Sequence, residues 1–186
     1  MADLLFVTGG ARSGKSSFAE RLASRTGAPV VYIATMEALD DEVRARIARH
    51  RTSRPEVWTT VESPLEIVEA VRDAPSDACV LLDCLSLWVS NRLLQLGEAF
   101  NQDDLDTLEI ALERDIESLH ALAAARSAPL ILVTNEVGSS LVPEHALGRA
   151  YRDLLGRVNQ RASTLATHAW LLVSGRALLL PPPDSD

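Results

Sequence analysis

The chain predicts an α/β fold, a three-layer domain whose mostly parallel central sheet lies between helices. Two observations carry this. Apolar runs of strand length alternate along the chain with stretches of helical period, the pattern that strand–helix–strand crossovers produce. The first such run, Leu4-Leu5-Phe6-Val7, is apolar throughout, as a strand buried on both faces must be, and it passes at once into a glycine-rich turn.

That turn is Gly9-Gly10-Ala11-Arg12-Ser13-Gly14-Lys15-Ser16, a complete G-x-x-x-x-G-K-S phosphate-binding loop. Of the 18 basic side chains only Lys15 is a lysine. A compact ammonium on a flexible stem reaches between nucleotide phosphates where a planar guanidinium fits poorly. Residues 16–23 read as a helix, with Phe18 and Leu22 at i, i+4 spacing. Backbone N–H groups of residues 10–16 would wrap the phosphates at the positive end of that helix, and the Ser16 hydroxyl would ligate Mg²⁺.

The later elements follow the same alternation. Residues 30–34 read as a second strand, 40–50 as a short helix and 57–60 as a third strand. Ser63-Pro64 reads as a helix start, with Ser63 as cap and Pro64 in the first helical position. Residues 79–83 make a fourth strand, 105–125 a long amphipathic helix and 130–134 a fifth strand. A last long helix covers about 147–166, followed by strands at 170–173 and 177–180. No repeat or linker divides the chain, so residues 1–180 are expected to form one nucleotide-binding domain. Residues 181–186 form a short tail, Pro181-Pro182-Pro183 and then acidic.

With 186 residues the chain suffices for one well-filled domain. A net charge of −8 argues against a nucleic-acid surface and for a small-molecule ligand. Cys79 and Cys84 lack metal-ligand spacing and read as small core residues in a reducing compartment. The N-terminus enters a strand directly and no apolar stretch is long enough to span a membrane, so a cytoplasmic protein is expected.

Two further positions bear on chemistry. Asp83 closes the run Val80-Leu81-Leu82 at the carboxyl end of its strand, where phosphate-loop proteins hold a metal-binding aspartate; a plain strand-ending or helix-capping aspartate is the other reading. Val43, Ile47 and His50 fall on one face of the predicted helix, among Arg44, Arg46, Arg49, Arg51 and Arg54. His50 is there either a core histidine or a nucleophile towards phosphorus beside arginines that hold a triphosphate. His120, His145 and His168 have no comparable setting.

The phosphate loop, extended to Thr8, resembles the opening of the bifunctional adenosylcobinamide kinase/adenosylcobinamide-phosphate guanylyltransferases of cobalamin synthesis. So do Tyr32-Ile33-Ala34-Thr35, Asp40-Asp41-Glu42, His50-Arg51-x-x-Arg54-Pro55, Trp58 with Glu62, and Leu82-Asp83-Cys84. Thr134-Asn135-Glu136-Val137-Gly138, Val142-Pro143 and Gly156-Arg157-Val158-Asn159-Gln160 complete the set, so the resemblance runs from Leu5 to about Gly175.

The resemblance implies a P-loop NTPase (RecA-like) fold and two reactions on it. ATP or GTP phosphorylates adenosylcobinamide, and GTP then gives GMP to adenosylcobinamide phosphate through a GMP-histidine intermediate at His50, with Mg²⁺ bound alongside the nucleotide. It also implies nucleotide contacts from Gly9 through Ser16, from Ala34, Thr35 and Met36, and from Arg51, Thr52, Ser53 and Arg54. Glu62, on the guanine edge, and Asp83 complete the nucleotide contacts, and Asp83 with Ser16 would also hold the metal. Glu62 reads equally as an exposed acid near a helix start. Met36 stands where relatives often carry a small polar residue, so only its backbone would serve. A homotrimer is implied as well. A simple small-molecule kinase without the covalent step, or a nucleotide switch, remains as an alternative; the absence of an Asn-Lys-x-Asp guanine motif speaks against the switch.

Overall fold

The computed structural model of the chain describes residues 2–36, 55, 57–97 and 99–183. Strands β1 (Leu4–Gly9), β2 (Val30–Ala34), β3 (Thr59–Glu62), β4 (Cys79–Asp83), β5 (Leu130–Val133), β6 (His168–Val173) and β7 (Arg176–Leu179) form one seven-stranded sheet. Its spatial order is β3-β2-β4-β5-β1-β6-β7, parallel throughout except for the closing β6–β7 pair. The described helices are α1 (Lys15–Arg25), α2 (Ile67–Asp73), α3 (Leu85–Leu94), α4 (Gln102–Ala125) and α5 (Ala146–Leu165).

Side chains that alternate along each strand go to opposite faces. Leu4, Phe6, Val80, Leu82 and Leu132 face one way, against Val71, Trp88, Leu112, Ile116 and Leu155 of helices α2 to α5. Leu5, Val7, Tyr32, Leu81 and Ile131 face the other way, where Ala19 and Ala23 of α1 pack on them. The small alanines let α1 lie close to the sheet directly behind the loop that starts it. Both cysteines are free thiols in the interior, as expected.

The structure shifts three sequence expectations. Strand β3 runs from Thr59 to Glu62 rather than over 57–60. No helix starts at Ser63-Pro64. The Ser63 N–H donates to the Ala34 carbonyl at 2.9 Å, which prolongs the pairing with β2. The Pro64 and Leu65 carbonyls accept from the Asn91 amide (3.1 Å) and the Trp88 indole (2.9 Å), and α2 begins only at Ile67. Helix α4 starts three residues before the predicted 105, because Asn101 and Asp104 form a reciprocal capping box. Helix α3, which donates both bonds to the segment after β3, was not anticipated at all. The predicted helix over 40–50 lies outside the described residues.

One arginine fastens the amino-terminal edge of the sheet. Arg126, 7% exposed, donates to the carbonyls of Val71 (3.1 Å), Ala74 (3.3 Å), Pro75 (2.6 Å) and Ala78 (2.8 Å). It thereby joins the end of α2 and the turn before β4 to the end of α4. Removing it takes this donor from the buried Val71 and Ala78 carbonyls, an expensive loss in a low-dielectric interior. Arg126→Ala is therefore expected to lower stability by about 2–4 kcal/mol. This should appear as a lower urea midpoint with an unchanged slope, and a loss under about 0.5 kcal/mol, the size of an ordinary surface change, would contradict the assignment.

Candidate active site

The loop from Gly9 to Ser16 is shaped by places where no side chain fits. A Cβ on Gly9 would stand 2.6 Å from both the Leu172 carbonyl oxygen and the Ser13 Oγ. Gly14, the residue that caps α1, has φ of +94°, and a Cβ there would also press on the Gly175 Cα at 3.2 Å. Within the loop the Ser13 N–H donates to the Gly10 carbonyl at 3.2 Å, and the Gly175 N–H donates to the Ser13 carbonyl at 2.8 Å. The turn between β6 and β7 thus braces the loop from outside. Lys15 folds back on the loop, its Nζ 3.3 Å from the Gly10 carbonyl. The first turn of α1 has neither a side-chain cap nor an acidic residue, so its N–H groups and positive dipole end remain available to an anion.

The strand register carries the other candidate residues to the same edge. Ala34 pairs with Glu62 on one side and Asp83 on the other, and Asp83 and Val7 both pair with Val133. Glu62, Ala34 and Asp83 therefore end their strands level with one another, on the side of the sheet from which the loop departs. The Asp83 carboxylate accepts a hydrogen bond from the Tyr32 hydroxyl at 2.9 Å. Burial and the neighbouring Asp83 carboxylate push the Cys84 thiol up to about 11. The Ser86 hydroxyl and, more weakly, the Lys15 ammonium act on the same thiol in the opposite direction.

Thr35 is the clasp beneath this edge. It is 0% exposed; its hydroxyl donates to the Cys84 carbonyl and accepts from the Cys84 N–H, both at 2.8 Å. Its own N–H donates to the Asp83 carbonyl at 3.3 Å, and its carbonyl accepts from the Asn91 amide at 2.9 Å. The hydroxyl and N–H of Thr35 thus fix the turn after Asp83, and its carbonyl ties that turn to α3. Met36 follows it, half-buried, and Glu62 is exposed. His50, Arg51, Thr52, Ser53 and Arg54 lie outside the described residues. Asn91, to which the sequence reading gave no part, holds Thr35 and Pro64 together; its partners are 56 and 27 positions away, beyond any local pattern.

A glycine loop between a buried strand and an uncapped helix, facing a strand-end carboxylate, defines an α/β P-loop nucleotide-binding fold. An ATPase of the type III secretion system of pathogenic bacteria has a similar fold, at a TM-score of 0.55 and 15% identity, over 92% of this chain and 51% of that one. The chain belongs to the cobinamide kinase / cobinamide phosphate guanyltransferase family, whose model matches residues 5–180. It is similar to the bifunctional adenosylcobalamin biosynthesis protein CobU of Escherichia coli K12, 45% identical over 175 residues, which are 92% of this chain and 96% of that protein. The corresponding CobP of Pseudomonas aeruginosa is 41% identical over 184 residues, 98% of this chain and 96% of that one. The chain is accordingly an enzyme, a bifunctional kinase and guanylyltransferase.

The buried thiols give the stability of the fold a pH signature. Desolvation raises both Cys79 and Cys84 from 9.0 to about 11, so each is neutral in the fold while its unfolded counterpart ionises near 9.0. The unfolded state then releases protons first, and stability present below pH 9.0 is lost as pH climbs towards 11. Urea midpoints are expected to fall across that window, and less steeply in a Cys79→Ala/Cys84→Ala double variant. Equal slopes in the two proteins would refute this.

Proposed function

We propose that this enzyme first transfers the γ-phosphate of ATP or GTP to the aminopropanol hydroxyl of adenosylcobinamide. It then transfers GMP from GTP to the resulting phosphate, giving adenosylcobinamide-GDP and pyrophosphate. The observation that carries the reading is the convergence of the phosphate loop, Lys15 and Asp83 on one edge of the sheet in a chain of this family.

Residues Gly9, Gly10, Ala11, Arg12, Ser13, Gly14, Lys15 and Ser16 would cradle the nucleotide phosphates through backbone N–H groups, with the Lys15 ammonium on the bridging region. Such donors, fixed before the substrate arrives, stabilise charge that develops on the leaving phosphate. Ser16 and Asp83 offer hard oxygen donors. The Asp83 carboxylate is already oriented by Tyr32, and no cluster of three or more metal-ligating side chains exists among the described residues. That sparse set fits Mg²⁺, which takes one or two protein oxygens and completes its shell with water and phosphate. When bound it would neutralise charge on the phosphates.

In the second reaction a nitrogen of His50 attacks the α-phosphorus of GTP, and the bond to the bridging oxygen breaks as pyrophosphate leaves. A phosphate oxygen of adenosylcobinamide phosphate then attacks the same phosphorus, and the P–N bond breaks to restore the imidazole. Two displacements replace one difficult encounter between anions. Arg51, Thr52, Ser53 and Arg54 would hold the triphosphate, Ala34 and Met36 would line the nucleotide through their backbone, and Thr35 would act by fixing Asp83. Glu62, exposed at the end of β3, would accept from the guanine N1–H and exocyclic amine. We place the whole of this in one unit of residues 1–180, assembled as a cytoplasmic homotrimer. Among the described residues no helix is long and apolar enough to cross a membrane.

GTP labelled at either the α- or the γ-phosphate, mixed with the enzyme and Mg²⁺ and no corrinoid, separates the possibilities. Label should stay on the denatured protein from α-labelled GTP alone, acid-labile and base-stable, and be absent from His50→Ala. Absence of any label would remove the covalent step and leave a plain kinase.

A further inference from the structure

The Thr134-Asn135-Glu136-Val137-Gly138 segment has no part in the chemistry above, yet its position is set by the sheet. Strand β5 lies between β1, which carries the phosphate loop, and β4, which ends in Asp83. The chain leaving β5 therefore runs between those two. It has no regular secondary structure, and it is pinned almost residue by residue. The Thr134 N–H donates to the Val7 carbonyl at 3.0 Å and its hydroxyl to the Asn159 Oδ1 at 2.8 Å. The Asn159 amide donates to the Asn135 carbonyl at 2.9 Å, and the Glu136 N–H to the carbonyl of Gly9, first residue of the loop, at 3.1 Å. Gly138 closes the turn by donating its N–H to the Glu136 carboxylate.

Asn159 is 8% exposed, and both ends of its amide are spent on this one segment. A buried, fully satisfied polar side chain specifies geometry that apolar packing would leave loose. The group so positioned is Glu136, the segment's only carboxylate and an exposed one. In phosphoryl transfer the acceptor oxygen approaches the γ-phosphorus opposite the bridging oxygen. On the Asp83 side of the loop, the next strand ends along the sheet are those of β5 and then β4. Asp83, on β4, is held by Tyr32 and serves the metal in the reading above.

We propose that Glu136 is the general base of the kinase step. The acceptor hydroxyl gives its proton to the Glu136 carboxylate while its oxygen forms the new bond to the γ-phosphorus. The bond from that phosphorus to the β–γ bridging oxygen breaks, and the nucleoside diphosphate leaves with the electron pair. The guanylyl transfer has no such need, because its acceptor is a phosphate oxyanion that carries no proton to remove. Glu136 therefore separates the two activities of one site. The assignment rests on the two-reaction reading above.

Glu136→Gln keeps the size and the acceptor oxygen for Gly138 while abolishing the base. It should be assayed with adenosylcobinamide and, separately, with supplied adenosylcobinamide phosphate. The kinase kcat is expected to fall about 100-fold or more, with the nucleotide KM changed less than about threefold. Guanylyl transfer to the supplied phosphate should stay within about threefold of the parent. Glu136→Asp should recover part of the kinase rate. A kinase rate within about threefold of the parent overturns the proposal, as does a parallel fall of both reactions with a lowered melting temperature, which would make the segment a structural support. A parent enzyme that performs neither reaction contradicts the two-reaction reading itself, and this assignment with it.

Discussion

Everything at the active edge depends on the crowding around Gly9. Strand β1, strand β6 and the phosphate loop meet there so closely that a single methyl group would collide with a backbone oxygen and a loop side chain. The close approach lets the loop turn back under the start of α1 while its outward side stays lined by backbone. Since the neighbouring strands are parallel and in register, the same turn fixes where Asp83, Ala34 and Glu62 end relative to the loop. Backbone sterics at Gly9 and the register of the strands beside β1 thus together set the geometry of this edge.

The two ends of the sheet hold themselves together by different means. At the amino-terminal edge a buried guanidinium gathers four carbonyls, a purely structural arrangement far from the loop. At the carboxyl-terminal edge neutral side chains take that role: Thr35, Asn91, Asn159 and Tyr32 each tie one functional segment to another. Neutral clasps add no charge of their own to an edge that already carries Lys15, Asp83, Glu62, Glu136 and the helix end. That is a sensible arrangement where a triphosphate must be attracted and its charge redistributed during transfer.

Much of this was legible in the chain because it is local. The phosphate loop, the buried strands and the long helices follow from spacing and apolar runs, and the strand ends fell within a residue or two. Helix α3 escaped because it continues an apolar stretch from β4 with neither glycine nor proline between them, and its N-cap Cys84 makes no side-chain cap. The turn that separates them is held by Thr35, 49 positions away. Ser63-Pro64 misled for a related reason: a good local helix start lost its carbonyls to donors on α3. The register that levels Glu62 with Asp83, and the bonds that Tyr32 and Asn91 make, are tertiary facts with no signature in spacing. Spacing and the cluster of arginines left His50 open between a core residue and a nucleophile, and the family motifs decided between the two.

In the proposed function the loop and Asp83 form one nucleotide site at this edge. Calorimetric titration of GTP tests it most directly, with and without Mg²⁺, in the parent, Lys15→Ala and Asp83→Asn. Losing the charge-assisted contacts of Lys15 should weaken binding about 10- to 100-fold under both conditions. Asp83→Asn should weaken binding only when Mg²⁺ is present. Parent-like affinities in both variants would move the nucleotide away from this edge.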